Sequence, residues 1–124
     1  MTGRPPRRLT RWHPASAGLI ELEPAPDEDA WLDKVMRTAA ELGWQRRYHT
    51  HDSRRSTPGF PDVVLVHPGH HRVVFAELKS EKGKLTAEQA GWLADLKDCG
   101  LEVYVWRPAD MPQVDYVLAR RARP

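Results

Sequence analysis

The sequence predicts an α/β domain built on one central sheet that is covered on both faces. Three observations carry this. Two runs, Asp62–Val66 and Arg72–Lys79, are apolar on both alternating faces, the pattern of strands buried on two sides. Apolar residues recur at helical spacing before the first run and after the second. Glycine and proline mark boundaries between elements at Gly43, Pro58-Gly59, Pro68-Gly69 and Gly100. A chain of 124 residues is long enough for one such core.

The elements follow in order. Residues 1–26 hold several prolines and no clear periodicity, so they read as an irregular lead-in with at most a short strand at Leu19–Leu22. Pro26 and Asp27 mark a helix start, and Glu28 and Asp29 suit the positive end of its dipole. Leu32, Val35, Met36, Ala39 and Leu42 give that helix one buried face, and Gly43 is its stop. Trp44–Thr50 alternates as a first strand, and the polar stretch His51–Phe60 reads as a loop. The strands Asp62–Val66 and Arg72–Lys79 follow, joined through His67-Pro68-Gly69-His70, where proline then glycine suits a type II turn. A charged loop, Ser80–Leu85, leads to Thr86, a helix cap with Gln89 at the capping-box position. Gly100 ends this helix, Leu101–Trp106 is a fourth strand, and Asp110–Ala119 forms a closing helix. The predicted order is αβββαβ with one further helix. Trp31, Trp44 and Trp92 lie in or beside amphipathic elements and are expected in the core. Tyr104 and Trp106 share a face and suit either the core or a contact between copies.

Composition narrows the function. Cys99 is the only cysteine, which rules out a disulfide framework and a cysteine-based zinc cluster. Nothing resembles a signal peptide or a membrane span, so the expected setting is the cytoplasm. The net charge of +2 is uneven. Arg4, Arg7, Arg8 and Arg11 open the chain, and Arg120, Arg121 and Arg123 close it. Setting these seven aside from the 19 basic residues leaves 12 against 17 acidic ones. Basic ends on a mildly acidic body can attract phosphate, or can simply solubilise the chain.

The chemistry concentrates at the mouths of the apolar strands. Asp62 opens one, and Glu77 and Lys79 close the next. Buried charges are costly unless they are paired or hold a metal. Residues two apart in a strand share a face, so Glu77 and Lys79 project together. A turn centred on Pro68-Gly69 would pair Asp62 with Phe75 and make Glu77 its diagonal neighbour, with Cα atoms roughly 7–8 Å apart. A one-residue slip would send the two carboxylates to opposite faces. Two such carboxylates and the Leu78 main-chain carbonyl offer hard oxygen ligands for Mg²⁺ or Mn²⁺. Lys79 could then orient water or offset charge on a phosphate. An ordinary surface ion pair is the competing explanation of the same residues. Arg54, Arg55, Lys82 and Lys84 lie in the loops leading into and out of this site and are candidate phosphate contacts, as are His49 and His51. His67, His70 and His71 fall at the remote turn.

Gly59-Phe60-Pro61-Asp62, Glu77-Leu78-Lys79, Gly83-Lys84-Leu85-Thr86 and Gln89 resemble, as an ordered set, the virus-type replication-repair nuclease (VRR-NUC) family of the PD-(D/E)xK superfamily. The resemblance runs from about Asp27 to Pro108. It implies a restriction-endonuclease-like fold with a mixed sheet flanked by helices, a nuclease domain over residues 27–119, and basic segments at 1–26 and 120–124 outside it. It implies Asp62 and Glu77 as metal ligands, Glu28 as a candidate third, and Asp62, Glu77, Lys79 and Gln89 as the catalytic set. It also implies a metal-dependent DNA endonuclease. Small stand-alone members are similar to homodimeric resolvases of four-way (Holliday) junctions, frequent in phage, and members fused to larger proteins act in repair. A nicking, flap or restriction-type enzyme, or a DNA-binding module without turnover, are the alternatives. No small-molecule cofactor and no membrane partner are expected.

Overall fold

The computed structural model describes residues 11–13, 18–20, 27–50 and 57–124. Two short strands, β1 (Arg11–His13) and β2 (Gly18–Ile20), pair antiparallel. The lead-in, expected to hold at most one strand, therefore contains a hairpin. Helix α1 (Glu28–Glu41) starts at Asp27, whose carboxylate accepts from the Ala30 N–H at 2.7 Å. It ends at Gly43, which adopts φ 90°. The strands β3 (Arg46–His49), β4 (Val63–His67), β5 (Arg72–Leu78) and β6 (Glu102–Trp106) form one sheet in that spatial order. β3, β4 and β5 are antiparallel neighbours, and β6 adds parallel to β5 across helix α2 (Ala87–Asp98). Helix α3 (Met111–Ala119) closes the chain. The order αβββαβα is the predicted one, and the sheet is mixed. Among the described residues, no helix is long and apolar enough to cross a membrane.

The main core lies on one face of the sheet. Val63 and Leu65 of β4, Val74 and Ala76 of β5, and Trp106 of β6 meet Trp31, Val35 and Ala39 of α1 and Val114, Val117 and Leu118 of α3. The tryptophans bury their rings and still satisfy their N–H groups, as buried indoles must. Trp31 donates to the Trp106 carbonyl at 3.1 Å, and Trp44 to the Leu118 carbonyl at 2.9 Å. Trp44 thus sits in the core just ahead of β3, which is shorter than the predicted 44–50. Trp106 lies fully inside this core, and half-buried Tyr104 stacks on it at 5.1 Å and packs against the core from its margin. A buried ion pair stiffens the end of the sheet remote from Asp62. Arg72 meets Glu102 through two hydrogen bonds of 2.9 and 2.6 Å, lies over the Trp44 ring, and donates to the carbonyls of Val117 and Arg120. The main chain at the start of the basic C-terminal segment is therefore fastened to the sheet.

The β4–β5 connection corrects two expectations. Pro68–His70 is a single 3₁₀ turn, not a type II turn. The left-handed residue is His71 (φ 54°), while Gly69 is absent from the positive-φ positions. His67 Nδ1 accepts from the His70 N–H at 3.2 Å, and the two rings stack at 3.7 Å. The loop is thus four residues long and centred one position later than Pro68-Gly69. Val63 pairs with Ala76 and Val64 with Phe75, so continuing the register brings Asp62 opposite Glu77 rather than Phe75. The shift is an even number of residues, and the two carboxylates keep a common face.

Candidate active site

The site is assembled on the second face of the sheet, under the start of α2. Gly59 has φ +85°, and a Cβ there would lie 2.5 Å from the Glu88 carbonyl carbon. Only glycine permits this passage of the chain against α2. Phe60 then packs edge-on to Trp92 at 5.2 Å and to Phe75 at 6.4 Å. Pro61 is fully buried. This anchoring delivers Asp62 to the mouth of β4, where the Thr50 N–H donates to the Asp62 carbonyl at 2.9 Å. The Asp62 carboxylate accepts from the Leu78 N–H at 2.9 Å, which ties the mouth of one strand to the end of the next.

Glu77 is 1% exposed. Its Oε2 accepts from Gln89 Nε2 at 3.0 Å and lies 3.9 Å from Lys79 Nζ. Its Oε1 is buried with no hydrogen-bond partner. Burial, then the adjacent Asp62 carboxylate, pushes the Glu77 carboxyl up to about 8, against which Lys79 offers partial relief. An orphaned buried oxygen in a carboxylate pair is the electrostatic condition that a cation relieves. Gln89 has two tasks at once. Its Oε1 accepts from the Thr86 N–H in the capping box, and its Nε2 fixes Glu77. Capping of α2 and contact with Glu77 are thus compatible at Gln89.

Two cavities of about 240 and 230 Å³ adjoin here, both lined by Glu28, Asp62, Leu78, Lys79 and Ser80. His49 lines the first, and Glu77, Lys84 and Gln89 the second. Among the described residues, no three His, Cys, Asp or Glu side chains cluster tightly enough to hold a metal ion by themselves. Glu28 borders the cavities without closing such a triad. The fit for Mg²⁺ or Mn²⁺ is therefore two carboxylates with Leu78 beside them and space for water, a donor set these hard ions accept. Lys82 is exposed in the turn after Lys79 and lines neither cavity. His51, Arg54 and Arg55 lie outside the described residues.

One contributor has no local sequence signal. Arg107, just beyond β6, donates to the carbonyls of Ser80 and Gly83, both at 2.6 Å. The Ala109 N–H donates to Glu81 Oε2 at 2.7 Å. These contacts clamp the turn that follows Lys79. A Cβ on Gly83 would approach Ser80 Oγ at 2.9 Å and Lys79 Cδ at 3.4 Å, so this turn folds closely over the lysine stem.

The model of the VRR-NUC domain family matches residues 21–110. A solved structure described as a VRR_NUC domain protein is similar in fold, with a TM-score of 0.50 and 14% identity. The likeness covers 73% of this chain and 89% of that one. Among curated proteins, none matches this sequence.

Proposed function

The chain belongs to the VRR-NUC domain family, and from that premise we propose that it is a divalent-metal-dependent endonuclease cutting branched DNA, such as a four-way junction, as a homodimer. The family makes it a nuclease of the PD-(D/E)xK superfamily with DNA as substrate. The observation that supports the catalytic assignment is the Asp62–Glu77 pair, in which Glu77 is buried beside half-buried Asp62 and its Oε1 has no hydrogen-bond partner.

Asp62 and Glu77 would hold Mg²⁺ or Mn²⁺, with Leu78 offering its main-chain carbonyl and Glu28 close enough to the cavity to assist through water. Such an ion supplies Lewis acidity to the scissile phosphate and acidifies the attacking water. The chain's own groups do the rest. The Leu78 N–H holds Asp62, and Gln89 holds Glu77, so neither carboxylate must reorganise when substrate arrives. Lys79 sits on the same side as Glu77 and offsets charge that develops on the phosphate as water attacks. Lys84 and His49, at the cavity edges, contact flanking phosphates, and Lys82, Arg54, Arg55 and His51 extend that contact along the DNA. A two-fold dimer presents two identical sites, which suits paired cuts in strands of like polarity.

The test compares labelled four-way, flap and linear DNAs of matched sequence in Mg²⁺. The four-way junction is expected to be cut fastest and at paired positions, and chelation by EDTA is expected to stop the reaction. Equal or faster cutting of unbranched duplex would replace the junction assignment by a nicking or restriction-type enzyme. Tight junction binding with no cutting under any divalent cation would leave a binding module.

A further inference from the structure

We propose that the outer face of β3, presented by Arg46 and Tyr48, is a track for one DNA strand leading away from the cut phosphate. This rests on the nuclease reading above and assigns the path of its substrate.

The placement follows from register. Tyr48 pairs with Val64 and Arg46 with Val66, so both side chains share the face of Asp62 and Glu77 rather than the face of the main core. Thr50, hydrogen-bonded to the Asp62 carbonyl, begins the row. Tyr48 lies two residues beyond it and Arg46 two further, steps of roughly 6.8 Å each. That is comparable with the spacing of successive phosphates on an extended strand. Among the described residues, β3 is the edge of the sheet, and no strand pairs with its outer side.

The surface has the chemistry of a nucleic-acid platform. Tyr48 is 56% exposed, and Val73, on the same face, is 38% exposed. Helix α2 packs over β6 and covers the other half of this face. An aromatic ring offers stacking to any base, and an arginine beyond it offers a phosphate contact. Charges alone would blunt an edge strand against aggregation. They do not explain an exposed tyrosine beside exposed aliphatic surface. A second copy of the chain is the rival occupant. Pairing β3 with a second copy of itself would gather Arg46 and Arg47 of both copies along one seam, whereas a DNA strand neutralises them.

The test measures metal-free binding of the full chain to a labelled four-way junction, and to one of its single strands, across a salt series. Tyr48→Ala and Arg46→Ala should each weaken binding by about tenfold or more. Arg46→Ala should also lower the slope of log affinity against log salt by about one. Tyr48→Phe, which keeps the ring, should bind as wild type. So should Arg37→Ala, which removes an equal charge from an exposed site on α1. The proposal is overturned if Tyr48→Ala and Arg46→Ala bind normally, if Arg37→Ala weakens binding as much, or if the wild-type protein does not bind. It is also overturned if the two variants change the sedimentation state with DNA affinity intact, which would make this face a contact between copies. Cleavage in Mg²⁺ is measured alongside. A protein that binds through Tyr48 yet never cuts overturns the nuclease reading alone. A protein that cuts while its variants bind normally overturns the track alone.

Discussion

Lys79→Ala slows DNA cleavage by about 10²–10⁴-fold while Mn²⁺ binds at least as tightly as to the wild-type protein. The split follows from the lysine's place. Its Nζ is 3.9 Å from Glu77 Oε2, close enough to compensate the carboxylate but too far for a strong hydrogen bond. Removing it takes away a positive charge that competes with a cation for Glu77, and it removes the group that meets charge developing on the phosphate. Single-turnover rates at saturating protein read the loss, and Mn²⁺ titration followed by electron paramagnetic resonance reads the affinity. Loss of Mn²⁺ binding would make Lys79 part of the metal site's architecture. An unchanged rate would remove it from the chemistry.

Glu77→Gln melts at a higher temperature than the wild-type protein in EDTA at about pH 9, and the gap closes towards about pH 5. The folded Glu77 carboxyl titrates near 8 against an ordinary 4.5, because it is buried beside Asp62. Between those values the folded chain holds a proton that the unfolded chain has released. The contribution of this group is fully present below about 4.5 and is lost as pH rises through about 8. At about 1.4 kcal/mol per unit, the penalty at high pH is on the order of 5 kcal/mol. Glutamine never ionises and escapes it. Mg²⁺ should narrow the gap, since a ligand at a hundredfold excess over its Kd adds about 2.7 kcal/mol to the form that binds it. Thermal melts across pH, with EDTA and with Mg²⁺, make the comparison. A wild-type protein that is the more stable of the two at high pH without metal would refute the buried-anion account.

Much of the site was legible because it rests on short-range parity. Glu77 and Lys79 are two apart and share a face whatever the rest of the strand does. An even-length connection keeps Asp62 on that face, so the fault in placing the turn at Pro68-Gly69 cost two residues of register and nothing in orientation. Thr86 and Gln89 were legible as a capping box, and Gln89 could reach Glu77 because α2 begins directly over the end of β5. The helices were readable from their periodicity and their stops, Gly43 and Gly100.

What was hidden is long-range. Arg107 clamps carbonyls more than twenty residues earlier in the chain, and nothing in Trp106-Arg107-Pro108 announces a partner. Arg72 and Glu102 are thirty residues apart, and each looks like a surface charge until β6 lies parallel to β5. The β1–β2 hairpin hides in a proline-containing stretch without periodicity. Arg46 and Tyr48 belong to a strand so short that their common face with Asp62 appears only once β3 is paired with β4.

The central claim is that the Asp62–Glu77 pair makes this nuclease's metal-dependent centre. Its most direct test is the single-turnover cleavage rate of a labelled four-way junction by the wild-type protein and by Asp62→Asn, in Mg²⁺ and in EDTA. The account predicts cutting by the wild-type protein in Mg²⁺ alone, and a rate at least about 10²–10³-fold lower for Asp62→Asn at equal DNA occupancy. Equal rates for the two proteins, or cutting that persists in EDTA, would contradict it.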